Sequence, residues 1–344
     1  MRISRLISAV DTHTGGHVQR IVIGGIAHIP GETMAEKMEY FREEMKDLRK
    51  AIMFEPRGWS AMWFAVLTPP TIKDADLGIL FTGAPGAPGE GVVVPMCGSL
   101  TVAATTVVVE TGIVKATEPI TTVKWDTAAG LVTAKVEVRD GRAIGVTLRN
   151  VPSFLYKKDV FVEVTGLGKI PVDVVYGGVF TAIVSAKSLG IRVKPENSKQ
   201  IVEIGNRVLN AVNEQIAVSH PEFPELTSIV QVRIMDDPVS PKANSRNAIL
   251  CCHGLGTKAI DRSPCGTGTS GEMAQQYARG KLKLKQEYIV ESITDTLWKG
   301  RLVEEVSVGQ YRAVVPEVTG TAYIIGINQL VIDPDDPLKY GFLL

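Results

Sequence analysis

Two segments carry apolar residues at helical spacing. Between about Thr33 and Phe54, Met34, Met38, Phe41, Met45, Leu48 and Ile52 recur at steps of four and three, which predicts one long amphipathic helix. Between about Glu196 and Ile216, Ile201, Ile204, Val208, Val212 and Ile216 predict a second. Most of the remaining chain reads as short strands punctuated by glycine, at 21–25, 91–94 and 131–138, then at 160–165, 171–176, 179–184, 229–234, 302–308 and 311–315. Asp140-Gly141 is a hairpin turn leading into the next run, 143–148. The pattern predicts an α+β fold.

A repeat emerges around two cysteines. Cys97-Gly98-Ser99-Leu100-Thr101 and Cys265-Gly266-Thr267-Gly268-Thr269 both read Cys-Gly-(Ser/Thr)-x-Thr. Each is followed by a helix-compatible stretch that stops at a glycine, Gly112 or Gly280, in both cases 15 positions after the cysteine. The long helices begin at comparable distances upstream, 64 and 69 positions before Cys97 and Cys265. Two pseudo-symmetric halves are therefore expected: 1–150 carrying Cys97, and 151–325 carrying Cys265. The segment 326–344 is expected to return to the first half.

At 344 residues the chain is long enough for about two domains. Lys+Arg and Asp+Glu are both 37, and this balance argues against a nucleic-acid partner, which would call for a basic excess. No uncharged apolar run approaches the ~18 residues of a membrane span, and Asp11 and His13 interrupt the N-terminus before a signal peptide could form. Four cysteines do not make a disulfide scaffold, so the thiols are expected to be free in a reducing cytoplasm.

A cysteine at a helix start has particular chemistry. The helix N-terminus carries partial positive charge and unpaired N–H donors. The N–H groups of Gly98, Ser99, Gly266 and Thr267 are thus placed to hold a small carboxylate. The same field is expected to push both thiols below their free pKa of about 8.5. If the halves face each other about a pseudo-two-fold axis, a bound anion has one sulfur on each side. One thiolate then takes the Cα proton from one face, and the opposite thiol returns a proton to the other. The fixed N–H groups stabilise the charge that develops on the carboxylate.

The residues around both cysteines resemble a known family. The block from Asp261 through Arg262, Ser263, Pro264 and Cys265 to Ser270 is similar to the second cysteine motif of the proline racemase family, and Met96-Cys97-Gly98 resembles its first. Asp11-Thr12-His13-Thr14-Gly15-Gly16 resembles its N-terminal signature. Tyr176-Gly177-Gly178-x-Phe180, Thr319-Gly320-x-Ala322 and the ending from Asp335 to Phe342 also fit.

The resemblance implies a diaminopimelate epimerase-like fold. Each half would be a β half-barrel around a central helix, with the active site between them. It implies a homodimeric isomerase, without cofactor or metal, that racemises or epimerises proline or 4-hydroxyproline. Cys97 and Cys265 would be the acid/base thiols, with Gly98, Ser99, Gly266 and Thr267 the carboxylate cradle. Asp261 would pair with the ring ammonium. A dehydratase branch acting on trans-3-hydroxy-L-proline replaces the first cysteine by Ser or Thr, whereas this chain keeps Cys97. The usual residue after the first Cys-Gly is His. Ser99 is smaller and uncharged, which implies a weaker grip on the amine, more dependence on Asp261 and room for a ring hydroxyl.

Other chemistry-bearing residues read as structural. Cys251 and Cys252 fall in a strand-like run and face opposite sides. With His253 and Cys265 they lack zinc-site spacing. His13 organises the Gly15-Gly16 turn, His220 lies in a loop-like segment and Phe180 belongs to the core. Gly86-x-x-Gly89-x-Gly91 lacks the strand–turn–helix context of a phosphate loop. Three other functions compete with the racemase reading. They are an epimerase of an open-chain diamino acid, a non-catalytic amino-acid-binding protein and a redox thiol switch.

Overall fold

The computed structural model describes residues 3–26, 28–83, 91–224, 226–251 and 260–342. Gly86, Gly89, Cys252 and His253 lie outside them. The chain divides into two compact units, Met1–Leu148 with Thr321–Leu344, and Arg149–Gly320.

Unit 1 runs β1 (Arg5–Thr14), β2 (His17–Gly24), α1 (Met34–Glu43), α2 (Lys46–Met53), β3 (Trp63–Thr68), β4 (Leu77–Gly83), β5 (Val92–Val94), α3 (Gly98–Glu110), β6 (Ile120–Thr127), β7 (Gly130–Arg139) and β8 (Arg142–Arg149). Unit 2 runs β9 (Ser153–Val164), β10 (Gly168–Tyr176), β11 (Phe180–Ser185), a 3₁₀ turn, α4 (Ser198–Gln215), β12 (Ile229–Asp236), β13 (Ser245–Cys251), α5 (Gly266–Ala278), β14 (Glu287–Ser292), β15 (Leu297–Val308) and β16 (Tyr311–Gly320). The chain then returns to unit 1 as β17 (Ala322–Ile332), antiparallel to β1 from Arg5↔Ile332 to Thr14↔Ala322.

The two units repeat one topology. In unit 1, an antiparallel β1–β2 pair leads through α1 and α2 to β3, parallel to β2. An antiparallel β3–β4 pair then leads through α3 to β6, parallel to β4. In unit 2, β10–β11 leads through α4 to a parallel β12, and β12–β13 leads through α5 to a parallel β14. There β16 also pairs with β9, at Ala313↔Phe154, and this closes an eight-stranded barrel. The fold is α+β, with a helix from each crossover packed against the strands of its own unit.

The repeat is in register. Ala65↔Phe81 and Val66↔Leu80 on β3–β4 match Arg233↔Ile249 and Ile234↔Ala248 on β12–β13, each displaced by 168 positions. The same displacement carries Cys97 onto Cys265 and Gly112 onto Gly280. Both glycines are left-handed, at φ 75° and 72°. Beyond them the Val114 N–H bonds the Val108 carbonyl at 2.8 Å, and the Leu282 N–H bonds that of Gln276 at 3.2 Å. These bonds close both helix ends in the same way.

The helix predicted over 33–54 is two helices. Thr33 caps α1 by accepting from the Glu36 N–H. The break at Glu44–Met45 follows from the buried Arg49, whose Nε donates to the Phe41 carbonyl at 3.0 Å and Nη2 to that of Arg42 at 2.8 Å. These carbonyls end α1, and the guanidinium satisfies them where a continuing helix would use backbone N–H groups. The apolar periodicity survives the break because both helices face the same core, around Met34, Phe41, Leu48 and Ile52.

Helix α3 is rich in Val and Thr, which are poor helix formers. Burial compensates, for ten of its 13 residues are inside. The Thr101, Thr105 and Thr106 hydroxyls donate to carbonyls four residues back, so no polar group is stranded. Among the described residues no helix is long and apolar enough to cross a membrane.

Candidate active site

Each Cys-Gly-(Ser/Thr) segment sits at a helix start. Cys97 is the residue before α3, extended at φ −142°, and its carbonyl accepts the Thr101 N–H at 2.9 Å. Cys265 stands likewise before α5, and its carbonyl accepts the Thr269 N–H at 2.9 Å. The first-turn N–H groups at Gly98, Ser99, Gly266 and Thr267 have no carbonyl one turn back to bond.

Around Cys97 the hydrogen bonds form a directed chain. The Thr14 hydroxyl donates to Gln19 Oε1 at 2.6 Å, which turns the other end of that amide outward. Gln19 Nε2 then donates to Ser99 Oγ at 2.9 Å, and Ser99 Oγ lies 3.6 Å from Cys97 Sγ. Cys97 is half-buried.

Cys265 is held differently. Its φ is +63°, a left-handed conformation that is costly for a residue with a side chain. The preceding carbonyl, of Pro264, is clamped by Arg233 Nη1 at 3.1 Å and the Thr269 hydroxyl at 3.0 Å. Upstream, Asp261 Oδ1 accepts the Ser263 N–H at 2.8 Å, and Ser263 Oγ accepts the Cys265 N–H at 3.2 Å. The sulfur accepts the Gly268 N–H at 3.4 Å and lies 3.4 Å from Thr267 Oγ1.

Behind this loop is a fully buried charged group. Arg233 pairs with Glu272, its Nε donating at 2.7 Å, and the Tyr288 hydroxyl donates to the other carboxylate oxygen at 2.7 Å. Burial and the adjacent carboxylate raise the Tyr288 pKa, so the hydroxyl keeps its proton.

The expectation that the helix start lowers both thiols fails for Cys265. Burial first, and the charge of Asp261 second, push this thiol up to about 11. The Thr267 hydroxyl, the Gly268 N–H and Arg233 oppose the shift without cancelling it. This shift favours the protonated thiol at neutral pH.

Glycines bring α5 close to its strands. A Cβ on Gly177 would lie 2.3 Å from the Thr267 carbonyl oxygen and 2.6 Å from the Gly271 nitrogen, both backbone atoms. Asn150 Nδ2 ties the same region together, donating to the Gly177 carbonyl at 3.0 Å and Ser270 Oγ at 2.8 Å. Gly177→Ala must push the first turn of α5 away. We expect a loss of about 2 kcal/mol or more in urea unfolding, with activity falling even where the protein stays folded.

Other residues take structural places. His13 Nδ1 accepts the Gly16 N–H at 3.2 Å and its ring stacks on Tyr323, so it fastens the β1–β2 turn. His220 Nδ1 accepts the N–H groups of Glu222 and Phe223, and its ring packs against Tyr176 and Phe154. Phe180 is core. Cys251 ends β13, half-buried. Among the described residues no group of three or more His, Cys, Asp or Glu is placed to hold a metal ion.

Sequence reasoning missed Gln19, Arg233, Glu272 and Gln231, whose Oε1 lies 3.4 Å from Thr267 Oγ1. One signal was present: in Ile229-Val-Gln231-Val-Arg233-Ile, two polar residues share a face of an otherwise apolar strand. A buried arginine requires a partner.

The chain is 43% identical to a proline racemase of Clostridioides difficile and 44% identical to a 4-hydroxyproline 2-epimerase of Streptosporangium roseum. Each comparison spans 344 residues and all of both chains. A solved hydroxyproline epimerase from Agrobacterium vitis, with bound trans-4-hydroxy-L-proline, superposes with a TM-score of 0.88 at 33% identity, covering 100% of this chain and 96% of that one. The family model for proline racemase matches residues 9–343. This chain belongs to the proline racemase family.

Proposed function

We propose that this protein inverts Cα of proline or 4-hydroxyproline by a two-thiol mechanism, without a cofactor. The observation that carries the reading is the duplicated Cys-Gly-(Ser/Thr) helix start, one copy in each unit. In this reading Cys97 and Cys265 face opposite sides of one ring carbon. The thiolate removes the Cα proton, leaving its electron pair delocalised into the carboxylate. The opposite thiol delivers its own proton to the other face and becomes the thiolate. The N–H groups of Gly98, Ser99, Gly266 and Thr267 hold the carboxylate, and Asp261 receives the ring ammonium.

The pKa of Cys265 fits this use. Asp261 is the second cause of its rise, and an arriving ammonium neutralises that charge. Substrate binding thus makes Cys265 a better acid when it is a thiol and a more stable thiolate after the transfer. Retention of Cys97 favours inversion over dehydration of trans-3-hydroxy-L-proline. The protein would work as a homodimer in a reducing cytoplasm, where free thiols persist.

Polarimetry tests the reading. L-Proline or trans-4-hydroxy-L-proline should lose optical rotation toward the equilibrium mixture, and planar pyrrole-2-carboxylate should compete. Binding of either imino acid by calorimetry with constant rotation would instead make this a binding protein.

A further inference from the structure

The last strand of unit 1 has an uncovered edge. In unit 2, β9 lies between β10 and β16, and its pairing with β16 closes the barrel. In unit 1, β17 takes the place beside β1 that β9 takes beside β10. Yet among the described residues β17 pairs with β1 alone. Its outer N–H and C=O groups are open to another strand. Edge strands that stay in solvent are normally blunted by charged side chains or proline. Ala322–Ile332 contains neither. Other solvent-facing strand positions are charged: β7 presents Lys135, Glu137 and Arg139, and β15 presents Lys299 and Arg301. β17 instead presents Tyr323, Ile325, Ile327 and Val331, exposed by 50%, 54%, 75% and 37%. Leu6 of β1, opposite Val331, is 50% exposed and extends the apolar row.

We propose that β17 is the docking edge for a second copy of this chain, the two strands pairing antiparallel about a two-fold axis at Gln329. This placement rests on the homodimer reading and says where that dimer forms. An antiparallel edge is self-complementary: turned about a two-fold axis, each strand offers the N–H and C=O groups that the other lacks. The edge carries no charge, so two copies meet without like-charge repulsion, whereas a charged partner segment would find no opposite charge on it. Unit 2 shows the equivalent position filled by an antiparallel strand, β16. The axis follows from the register. A bulge at Ile325 interrupts the ladder between Thr12↔Ile324 and Asp11↔Gly326, while Gly326–Ile332 is regular. The centre of that stretch is Gln329. Ile327 of each copy then faces Val331 of the other, which covers the most exposed large apolar side chain among the described residues. The two Gln329 amides meet at the axis, where each offers both donors and an acceptor.

Sedimentation equilibrium of the full-length protein should show a dimer. Ile327→Lys should raise its dissociation constant about hundredfold or more, because the symmetry inserts two charges into the interface at once. Phe161→Lys, at a position of β9 that is 67% exposed, should leave the constant unchanged. Circular dichroism checks that both variants are folded. Gln329→Cys gives a reading that does not depend on weakening the dimer. Cα atoms directly opposite in an antiparallel pair are about 4.5–5.5 Å apart, within reach of a disulfide. Mild oxidation should therefore lock this variant as a covalent dimer on a non-reducing gel, with the wild type, which keeps its own cysteines, as the control. The interface is overturned if folded Ile327→Lys keeps the wild-type dissociation constant, or if Gln329→Cys yields no more covalent dimer than the wild type. A wild type that is still dimeric then leaves the homodimer reading standing. A monomeric wild type overturns both, and slow hydrogen exchange across 322–332 in that monomer would show the edge to be covered from within the chain.

Discussion

Cys97→Ser and Cys265→Ser should each lower kcat/KM for proline inversion by about 10²–10⁴-fold, the usual contribution of a positioned acid or base. A hydroxyl in either place is far too weakly acidic to replace the thiolate, and inversion needs both faces served. The two variants should nevertheless differ in deuterium oxide. With one sulfur left, a proton can leave and return on the same face. Each single variant should therefore exchange the Cα hydrogen of one enantiomer only, with the preferred enantiomer opposite in the two. Measuring exchange by mass spectrometry beside polarimetry separates this from misfolding. Full inversion by either variant would end the two-thiol account.

Arg233→Met should cost about 3–5 kcal/mol, the range for stranding one member of a buried ion pair. Both side chains are completely inside, and among the described residues Glu272 would keep only the Tyr288 hydroxyl as a partner. Arg233→Met/Glu272→Met removes the stranded charge, so urea unfolding should show a large part of the loss recovered. A fully additive double variant would mean that the pair is not coupled. Even in the recovered double variant, the Pro264 carbonyl loses one of its two clamps. Activity should therefore remain lower than stability alone explains, because Cys265 depends on that carbonyl for its left-handed conformation.

Much of this site was legible before any coordinates. The paired motif and the matched glycine stops located both cysteines at helix starts, since a thiol, a glycine and a hydroxyl residue in that order have a clear use there. Helix spacing found the apolar faces of α1, α2 and α4. It could not find the break between α1 and α2, because the cause is a guanidinium, Arg49, turning back onto carbonyls. Nor could it find the raised thiol at Cys265. Helix-start electrostatics are local, but desolvation depends on what packs above, and Asp261 acts through a turn whose shape the sequence does not state. Gln19 and Gln231 were hidden for the same reason. Gln19 is 80 positions from the Ser99 it directs, and only pairing of distant strands brings such residues together.

The full-length pairing of β1 with β17 has a consequence for biosynthesis. β1 is made before unit 2 and waits for β17, which is made after it, while unit 2 is contiguous and has every strand of its barrel before β17 emerges. In nascent chains unit 2 should therefore become protease-resistant before β1 does.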